Sequence, residues 1–254
     1  MPDPVLTLDA VSKEFGGLTA VDHVSLALSA GERVAVIGPN GAGKTTLFRM
    51  IAGEMRPSRG TISLFGRDVT RLSERKRALR GVARTFQVSN LFPSLTVEYN
   101  VRLAAQVGSW TSRRFWRRLD ANDRFAVETR AVLEHVGLGD RAAHTVETLS
   151  HGEQRQLEIA IALMSRPRLI LLDEPAAGLS VAERQVLRGL LKDLSTEVTY
   201  LLIEHDMSLA LELADRVLCL DNGTPLACGT PDEIRADAAV QAVYLGRRDE
   251  VADG

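Results

Sequence analysis

Residues 38 to 45 combine the types and the spacing that bind phosphate groups: Gly38, Pro39, Asn40, Gly41, Ala42, Gly43, Lys44 and Thr45. The glycines allow consecutive backbone N–H groups to turn inward without a Cβ clash, which creates a concave surface of donors. Lys44 adds a positive charge for the β- and γ-phosphates, and Thr45 adds a hydroxyl for Mg²⁺. A predicted buried strand over 33–37 precedes the segment, and a predicted helix over 46–52 follows it. The segment therefore predicts the binding of a nucleoside triphosphate.

An acidic pair, Asp173 and Glu174, ends the apolar run over 169–172. An ionised carboxylate at the end of a buried strand is costly without a cation, and a Mg²⁺ ion opposite Thr45 would supply one. Glu174 could then accept a proton from the water that attacks the γ-phosphate. An acidic pair that only caps a helix is the alternative interpretation.

A third segment, Leu149-Ser150-His151-Gly152-Glu153-Gln154, starts a predicted helix. Ser150 and Glu153 have the S-x-x-E spacing of a capping box, and apolar residues at helical spacing follow them. The segment is either only a well-capped helix or also an anion site, because a helix N-terminus beside a glycine presents free N–H groups.

The elements between these segments predict an α/β fold that can bring them together. Short alternating strands between residues 5 and 28 indicate an antiparallel β subdomain. Apolar strands that alternate with helices indicate a mainly parallel sheet, whose ligands lie beyond the carboxyl ends of the strands. Between 96 and 166 helical spacing replaces strand patterns, which predicts an inserted helical subdomain. Gly38, Gln87, Asp173 and His205 each follow the end of a predicted strand.

The composition is that of an ordinary globular chain, with 254 residues, 45% hydrophobic and 25% charged. A net charge of −2 indicates no global attraction to nucleic acid or to anionic lipid. The sequence has no apolar run long enough for a transmembrane helix and no secretory signal pattern at its start. We expect Cys219 and Cys228 to be reduced, buried thiols.

Taken in order, the three segments resemble those of the ATPase subunits of ATP-binding cassette (ABC) transporters, over nearly the whole chain. The resemblance implies the ABC ATPase fold: a P-loop core with a mainly parallel sheet, an N-terminal antiparallel β subdomain and an inserted α-helical subdomain. It also implies ATP and Mg²⁺ as cofactors. The Walker A loop would be Gly38–Thr46, with Thr46 as a further phosphate contact, and the signature motif would be Leu149–Gln154.

The same resemblance implies a role for five single residues. Asp173 would be the Walker B aspartate and Glu174 the catalytic base. Gln87 would reach Mg²⁺ and sense the membrane partner, His205 would contact the γ-phosphate, and Phe15 would stack on adenine.

Hydrolysis in this family needs a dimer, because each signature motif completes the ATP site of the other subunit. The implied partners are therefore a second ATPase subunit, identical or not, two membrane permease subunits and, indirectly, a solute-binding protein, with no nucleic acid. The implied location is cytoplasmic, at the inner face of the membrane through the permease.

Three positions depart from the family pattern. In the usual L-S-G-G-Q motif, His151 replaces the first glycine and Glu153 replaces the glutamine. These changes would place an imidazole and a carboxylate near the nucleotide. Ser180 stands where the D-loop aspartate is expected. Phe15 can stack but lacks the hydroxyl of a tyrosine.

Finer similarity favours an importer, and among importers the ATPases for branched-chain amino acids. It lies in the segments 174–179, 203–207, 222–227 and 243–246. The ATPases of urea and amide importers share much of this pattern, and those of lipopolysaccharide exporters share its Tyr-Leu-Gly ending. A soluble ABC ATPase that acts on nucleic acid is a weaker alternative, since the chain has no coiled coil, tandem cassette or basic arm.

We expect one domain over residues 1–254, with four approximate subdomains. They are 1–90 (antiparallel β and Walker A core), 91–166 (helical), 167–229 (core around Asp173 and His205) and 230–254 (C-terminal helical tail). A basic-aromatic cluster at 110–118 is expected to be a solvated loop that buries one tryptophan, or a contact with the permease or with lipid headgroups.

Overall fold

The computed structural model describes residues 4–85, 91–108, 124–194 and 198–250. Gln87 and the cluster at 110–118 lie outside these residues. The described chain divides into two compact units. The first comprises Met1–Val82, Arg168–Glu174 and Ser195–Gly254, and the second comprises Ala83–Pro167 and Pro175–Leu194.

The strands are numbered in chain order: β1 Leu6–Phe15, β2 Leu18–Leu28, β3 Arg33–Ile37, β4 Arg59–Leu64, β5 Arg67–Asp68, β6 Val82–Arg84, β7 Leu169–Asp173, β8 Tyr200–Ile203, β9 Arg216–Asp221 and β10 Thr224–Gly229. The helices are α1 Lys44–Ala52, α2 Glu74–Ala78, α3 Val97–Gly108, α4 Arg124–His135, α5 His151–Met164, α6 Val181–Asp193, α7 Met207–Leu213, α8 Pro231–Ala236 and α9 Ala238–Glu250. Short 3₁₀ turns cover Gly139–Arg141 and Val146–Thr148.

The N-terminal strands form an antiparallel sheet in the order β2-β1-β4-β5. Strands β1 and β2 make a hairpin whose turn contains Gly16, in the left-handed region with φ of 58°. Alternate side chains of both strands are buried, as a sheet with one covered face requires. The predicted antiparallel β subdomain is therefore confirmed.

Within the first unit, the second sheet has the strand order β10-β9-β3-β8-β7. Strand β3 pairs in parallel with β8 and β9, and β7 pairs in parallel with β8. Every residue of β7 and β8 is buried, which explains their unbroken apolar sequence. Apolar side chains of this sheet, of the antiparallel sheet and of α1 form one core.

The second unit is mainly helical, as predicted. Helices α3, α4 and α5 pack against one another, and α5 also packs against α6. Val97, Val101 and Leu133 are buried at the helical spacing seen in the sequence. Arg155 and Glu158 of α5 form an ion pair of 2.6 Å in which both side chains are 7% exposed.

One expectation about the thiols was wrong. Cys219 on β9 is buried, and desolvation raises its pKa to about 11. Cys228 is exposed, on the edge strand β10, in which every residue is at least partly exposed. No helix within the described ranges combines the length and the apolar character that a membrane span requires.

Candidate functional site

The predicted phosphate loop connects β3 to α1 and is held by close backbone packing. Gly43 is the N-cap of α1, with φ of 95°, and a Cβ there would lie 2.4 Å from the Ala20 carbonyl oxygen. A Cβ at Gly38 would lie 2.2 Å from the Leu220 carbonyl oxygen. Only glycine fits at either position, so the loop conformation depends on both.

The turn between β9 and β10 also supports the loop. The Gly223 N–H donates to the Ala42 carbonyl oxygen at 3.2 Å, and the Gly223 carbonyl accepts from the Asp22 N–H at 2.8 Å. The loop is thus hydrogen-bonded to this turn, and the turn is hydrogen-bonded to β2.

A cavity of about 180 Å³ lies above the loop. Its lining consists of Ala20, residues 40–46 and Glu174. Lys44 is 5% exposed, and its ammonium donates to the carbonyl oxygens of Gly38 and Pro39 at 2.6 and 2.9 Å. A buried cation at the start of a helix is an environment that stabilises an anion.

The acidic pair lies where β7 ends, in the same unit as the loop. Asp173 is fully buried and is aligned with Ile203 of β8. Glu174 has φ of 44°, and its N–H donates to the Ile203 carbonyl oxygen at 3.0 Å. Positive φ is unfavourable for glutamate, and such strain is concentrated at functional sites. The strained backbone coincides with the acidic residue that lines the cavity above the predicted phosphate loop.

The predicted histidine, His205, follows β8 at the same edge of the sheet. Its side chain is 55% exposed, and its Nδ1 lies 3.8 Å from Oε2 of the fully buried Glu204. His205 and Asp173 are not among the residues that line the cavity. The structure thus brings Glu174 to the loop and leaves His205 exposed to solvent.

The donors present fit a Mg²⁺ ion that arrives with a triphosphate. Thr45 lines the cavity, and Asp173 supplies a carboxylate at the end of β7. Within the described residues no group of three or more His, Cys, Asp or Glu side chains could hold a metal by itself. Mg²⁺ at nucleotide sites is bound by few protein oxygens, with phosphates and water completing its shell.

Phe15 ends β1 in the first unit, where its ring is 46% exposed. The Lys13 ammonium lies 5.1 Å from the centroid of the ring. A purine is one partner that can stack on such an exposed ring.

Sequence reasoning missed Arg77, which supports the far end of the loop helix. Arg77 is fully buried and donates to the carbonyl oxygens of Met50 and Ile51, both at 2.7 Å, and of Val69 at 2.8 Å. The first two carbonyls belong to the last turn of α1, where a cation is favoured by the helix dipole. Desolvation lowers the pKa of Arg77 to about 10, so the side chain stays charged at neutral pH.

In the second unit, the predicted capping box of α5 is confirmed. The Glu153 N–H donates to the Ser150 hydroxyl oxygen at 3.2 Å, and the Ser150 N–H donates to Glu153 Oε2 at 2.8 Å. His151 is exposed, and its ring lies near Gly178.

A second missed residue, Glu183, contacts the same helix end. Its Oε1 accepts from the Gly152 N–H at 2.9 Å and from the Ser150 hydroxyl at 3.3 Å. Ser180 and Glu183 themselves have S-x-x-E spacing and form the capping box of α6. That spacing is visible in the sequence, whereas the contact with Gly152 is not.

The sequence profile described as "ABC transporter" matches residues 21–177, which is more than half of the chain. The chain belongs to the ABC transporter family. It is the ATP-binding cassette of that family, an ATPase that binds nucleotide.

Curated relatives match this ABC ATPase over almost its whole length. The high-affinity branched-chain amino acid transport ATP-binding protein BraF of Pseudomonas aeruginosa is 41% identical over 257 residues, which cover 97% of this chain and 99% of the relative. LivG of Escherichia coli, which carries the same description, is 40% identical over 254 residues with the same coverage.

Solved cassettes agree with the fold. The ADP conformation of MJ1267, an ATP-binding cassette of an ABC transporter, has a TM-score of 0.83 and 26% identity, and the match covers 96% of this chain and 99% of that one. A nucleotide-free ATP-binding cassette has a TM-score of 0.80 and 26% identity, with 95% and 98% covered. The predicted ABC ATPase fold is therefore confirmed.

Proposed function

We propose that this ABC ATPase drives the import of branched-chain or other amino acids. The observation that carries the proposal is a second profile match, over residues 224–250, to a family described as "Branched-chain amino acid ATP-binding cassette transporter". This segment contains β10, α8 and α9, and it lies outside the match to the general ABC transporter profile. The names of BraF and LivG support the same substrate class.

The proposed nucleotide site uses the loop for the phosphates and Phe15 for the base. Lys44 would exchange its bonds to the loop carbonyls for phosphate oxygens, which bring more negative charge than a carbonyl does. Thr45 and Asp173, together with Gln87, would hold Mg²⁺. When bound, the ion would neutralise charge on the β- and γ-phosphates.

Glu174 is the proposed general base. It lies on the wall of the cavity next to the phosphate loop, where its carboxylate can orient a water molecule and accept its proton. His205 would approach the γ-phosphate only when nucleotide is bound, because its side chain is exposed in this structure. Catalytic contacts commonly tighten once the substrate is present.

The proposed working form is a dimer, with equal or different ATPase subunits. Ser150, His151, Gly152 and Glu153 would complete the ATP site of the other subunit, since the N-terminus of α5 presents donors suited to an anion. Two permease subunits would bind the dimer and place it at the inner face of the membrane, and a solute-binding protein would deliver the substrate to them.

The function is tested by reconstitution into proteoliposomes with the permease subunits that co-purify with this chain and with their solute-binding protein. We expect ATP-dependent uptake of radiolabelled leucine, isoleucine or valine, and no uptake with the Glu174→Gln variant of the ATPase. Uptake of urea or short amides without uptake of amino acids would overturn the substrate class. Uptake that is the same without ATP would overturn the coupling role.

A further inference from the structure

The Glu183 side chain joins the N-termini of two helices in the second unit. Its Oε2 accepts from the N–H and the hydroxyl of Ser180, at 2.9 and 2.8 Å, and so caps α6. Its Oε1 accepts from the Gly152 N–H at 2.9 Å and from the Ser150 hydroxyl at 3.3 Å, at the start of α5. One carboxylate is therefore shared between the D-loop position and the signature segment.

The contact between Glu183 and α5 is close. A Cβ at Gly152 would lie 2.6 Å from Glu183 Cγ and 2.7 Å from its Oε1, so only glycine permits it. Hydrogen bonds from the Ser180 backbone, the Ser180 side chain and the Gly152 backbone lower the pKa of Glu183 to about 2. The side chain is therefore a full negative charge at neutral pH.

The donors that Glu183 takes from α5 are the ones that the proposed function assigns to ATP. We propose that Glu183 is an internal competitor for the phosphate of a second subunit's ATP. Its carboxylate occupies the Gly152 N–H and the Ser150 hydroxyl while the site is open, and it releases both when the dimer closes. This inference rests on the proposed function, which brings a triphosphate to the signature segment.

Only the bonds to α5 need to break. Two like charges cannot share one N–H group at low cost, and a phosphate, with more charge and more acceptor oxygens, is the stronger partner. The two bonds to Ser180 remain, and they keep α6 capped. Ser180 donates both of them, whereas an aspartate at this position would place a second negative charge beside Glu183. Ser180, in place of the expected D-loop aspartate, is therefore compatible with a charged Glu183.

The experiment compares a Glu174→Gln parent, which is expected to bind ATP without hydrolysing it, with the same parent carrying a second substitution at Glu183. Sedimentation velocity measures the midpoint, which is the ATP concentration that gives half-maximal dimer. Adding Glu183→Gln removes the charge and leaves one acceptor oxygen in place of two, so the side chain cannot accept from Ser180 and from Gly152 at the same time. We expect the midpoint to fall by about tenfold, since like-charge juxtaposition at an interface is strongly unfavourable. An unchanged or higher midpoint would overturn the proposal.

The chain provides a matched control in Glu233, which caps α8 in the first unit. The Thr230 N–H donates to Glu233 Oε2 at 2.8 Å, and a Cβ at the neighbouring Gly229 would lie 2.6 Å from the same oxygen. Glu233→Gln removes an equivalent capping charge away from the signature segment, and we expect it to leave the midpoint unchanged. Equal shifts for both variants would mean that loss of a cap, and not competition, is responsible.

A second variant, Glu183→Asp, is needed in case Glu183→Gln fails to fold. It keeps the charge and a capping residue but shortens the side chain by one methylene, so we expect a smaller fall in the midpoint. If the parent itself forms no dimer with ATP, the proposed function fails and this inference fails with it. If the parent dimerises but both Glu183 variants match it, only the competition is wrong.

Discussion

The guanidinium of Arg77 donates a 2.7 Å hydrogen bond to the carbonyl oxygen of Ile51, in the last turn of the helix that begins at the phosphate loop. Both groups are fully buried. A charged side chain thus fixes the end of α1 that is opposite to the predicted phosphate loop.

Replacing Arg77 with methionine should destabilise the fold. The change leaves buried carbonyl oxygens of Met50, Ile51 and Val69 without these donors, and we expect the free energy of unfolding to fall by about 3 kcal/mol. Urea denaturation measures this change in the free energy of unfolding. Arg77→Lys should recover only part of the loss, because an ammonium lacks the planar fork that reaches all of these carbonyls. Full recovery by lysine would contradict the geometric argument.

Glu174→Gln should abolish turnover while preserving nucleotide binding. The amide keeps the size of the side chain but cannot accept the proton of water, so we expect the rate of ATP hydrolysis to fall by about 10²-fold or more. Phosphate release measures turnover, and a fluorescent ATP analogue measures binding. A variant that hydrolyses ATP at the normal rate would remove Glu174 from the role of base.

Two glycine variants separate steric clash from backbone strain in the phosphate loop. Gly41 and Gly43 both have positive φ, of 82° and 95°, but only a Cβ at Gly43 meets another atom, the Ala20 carbonyl oxygen. We expect Gly41→Ala to destabilise by about 1 kcal/mol through strain alone and Gly43→Ala by about 3 kcal/mol. Thermal unfolding of both proteins gives the comparison. Equal losses of stability in the two variants would show that the close packing of Gly43 against β2 does not contribute to stability.

Phe15→Ala should weaken ATP binding without changing hydrolysis once ATP is bound. Stacking of a base on an aromatic ring contributes about 1–3 kcal/mol, so the dissociation constant should rise by about tenfold. Phe15→Tyr should bind normally. Leu18, which pairs with Phe15 across the hairpin and is 67% exposed, offers a control, since Leu18→Ala should leave affinity unchanged.

The pH dependence of stability should carry a contribution from Glu183. Hydrogen bonds, chiefly from Ser180, lower its pKa to about 2 in the folded chain from its ordinary value of 4.5. A lowered pKa stabilises the fold above the unfolded value, and this stabilisation is lost as the pH falls towards the folded value. The difference in stability between the wild type and Glu183→Gln should therefore be constant above about pH 5 and shrink below it. Denaturation across this range tests the sign.

The phosphate loop was the most predictable part because its signals are local. Strand β3 has the predicted bounds, and Ser150 and Glu153 form the predicted cap, since both depend on residues a few positions apart. Helix α1 begins at Lys44, two residues before the predicted helix, because Gly43 serves as the cap.

What escaped prediction depends on contacts between distant parts of the chain. Arg77 lies in a charged helical stretch that indicates exposure, yet its partners are 26 and 27 positions away. The contact between Glu183 and Gly152 spans 31 positions and exists only because α5 packs against α6. The exposure of Cys228 reflects how little of β10 the rest of the fold covers, which the sequence of that strand does not reveal.

The turn at Gly223 has a consequence for the kinetics of nucleotide exchange. Its main-chain bond to Ala42 and the close approach of Leu220 to Gly38 hold the loop in shape before any ligand arrives. Little conformational entropy is then lost when a nucleotide binds, and association does not wait for the loop to order itself. The lifetime of the bound state, more than the rate of capture, should therefore distinguish ATP from ADP in this protein.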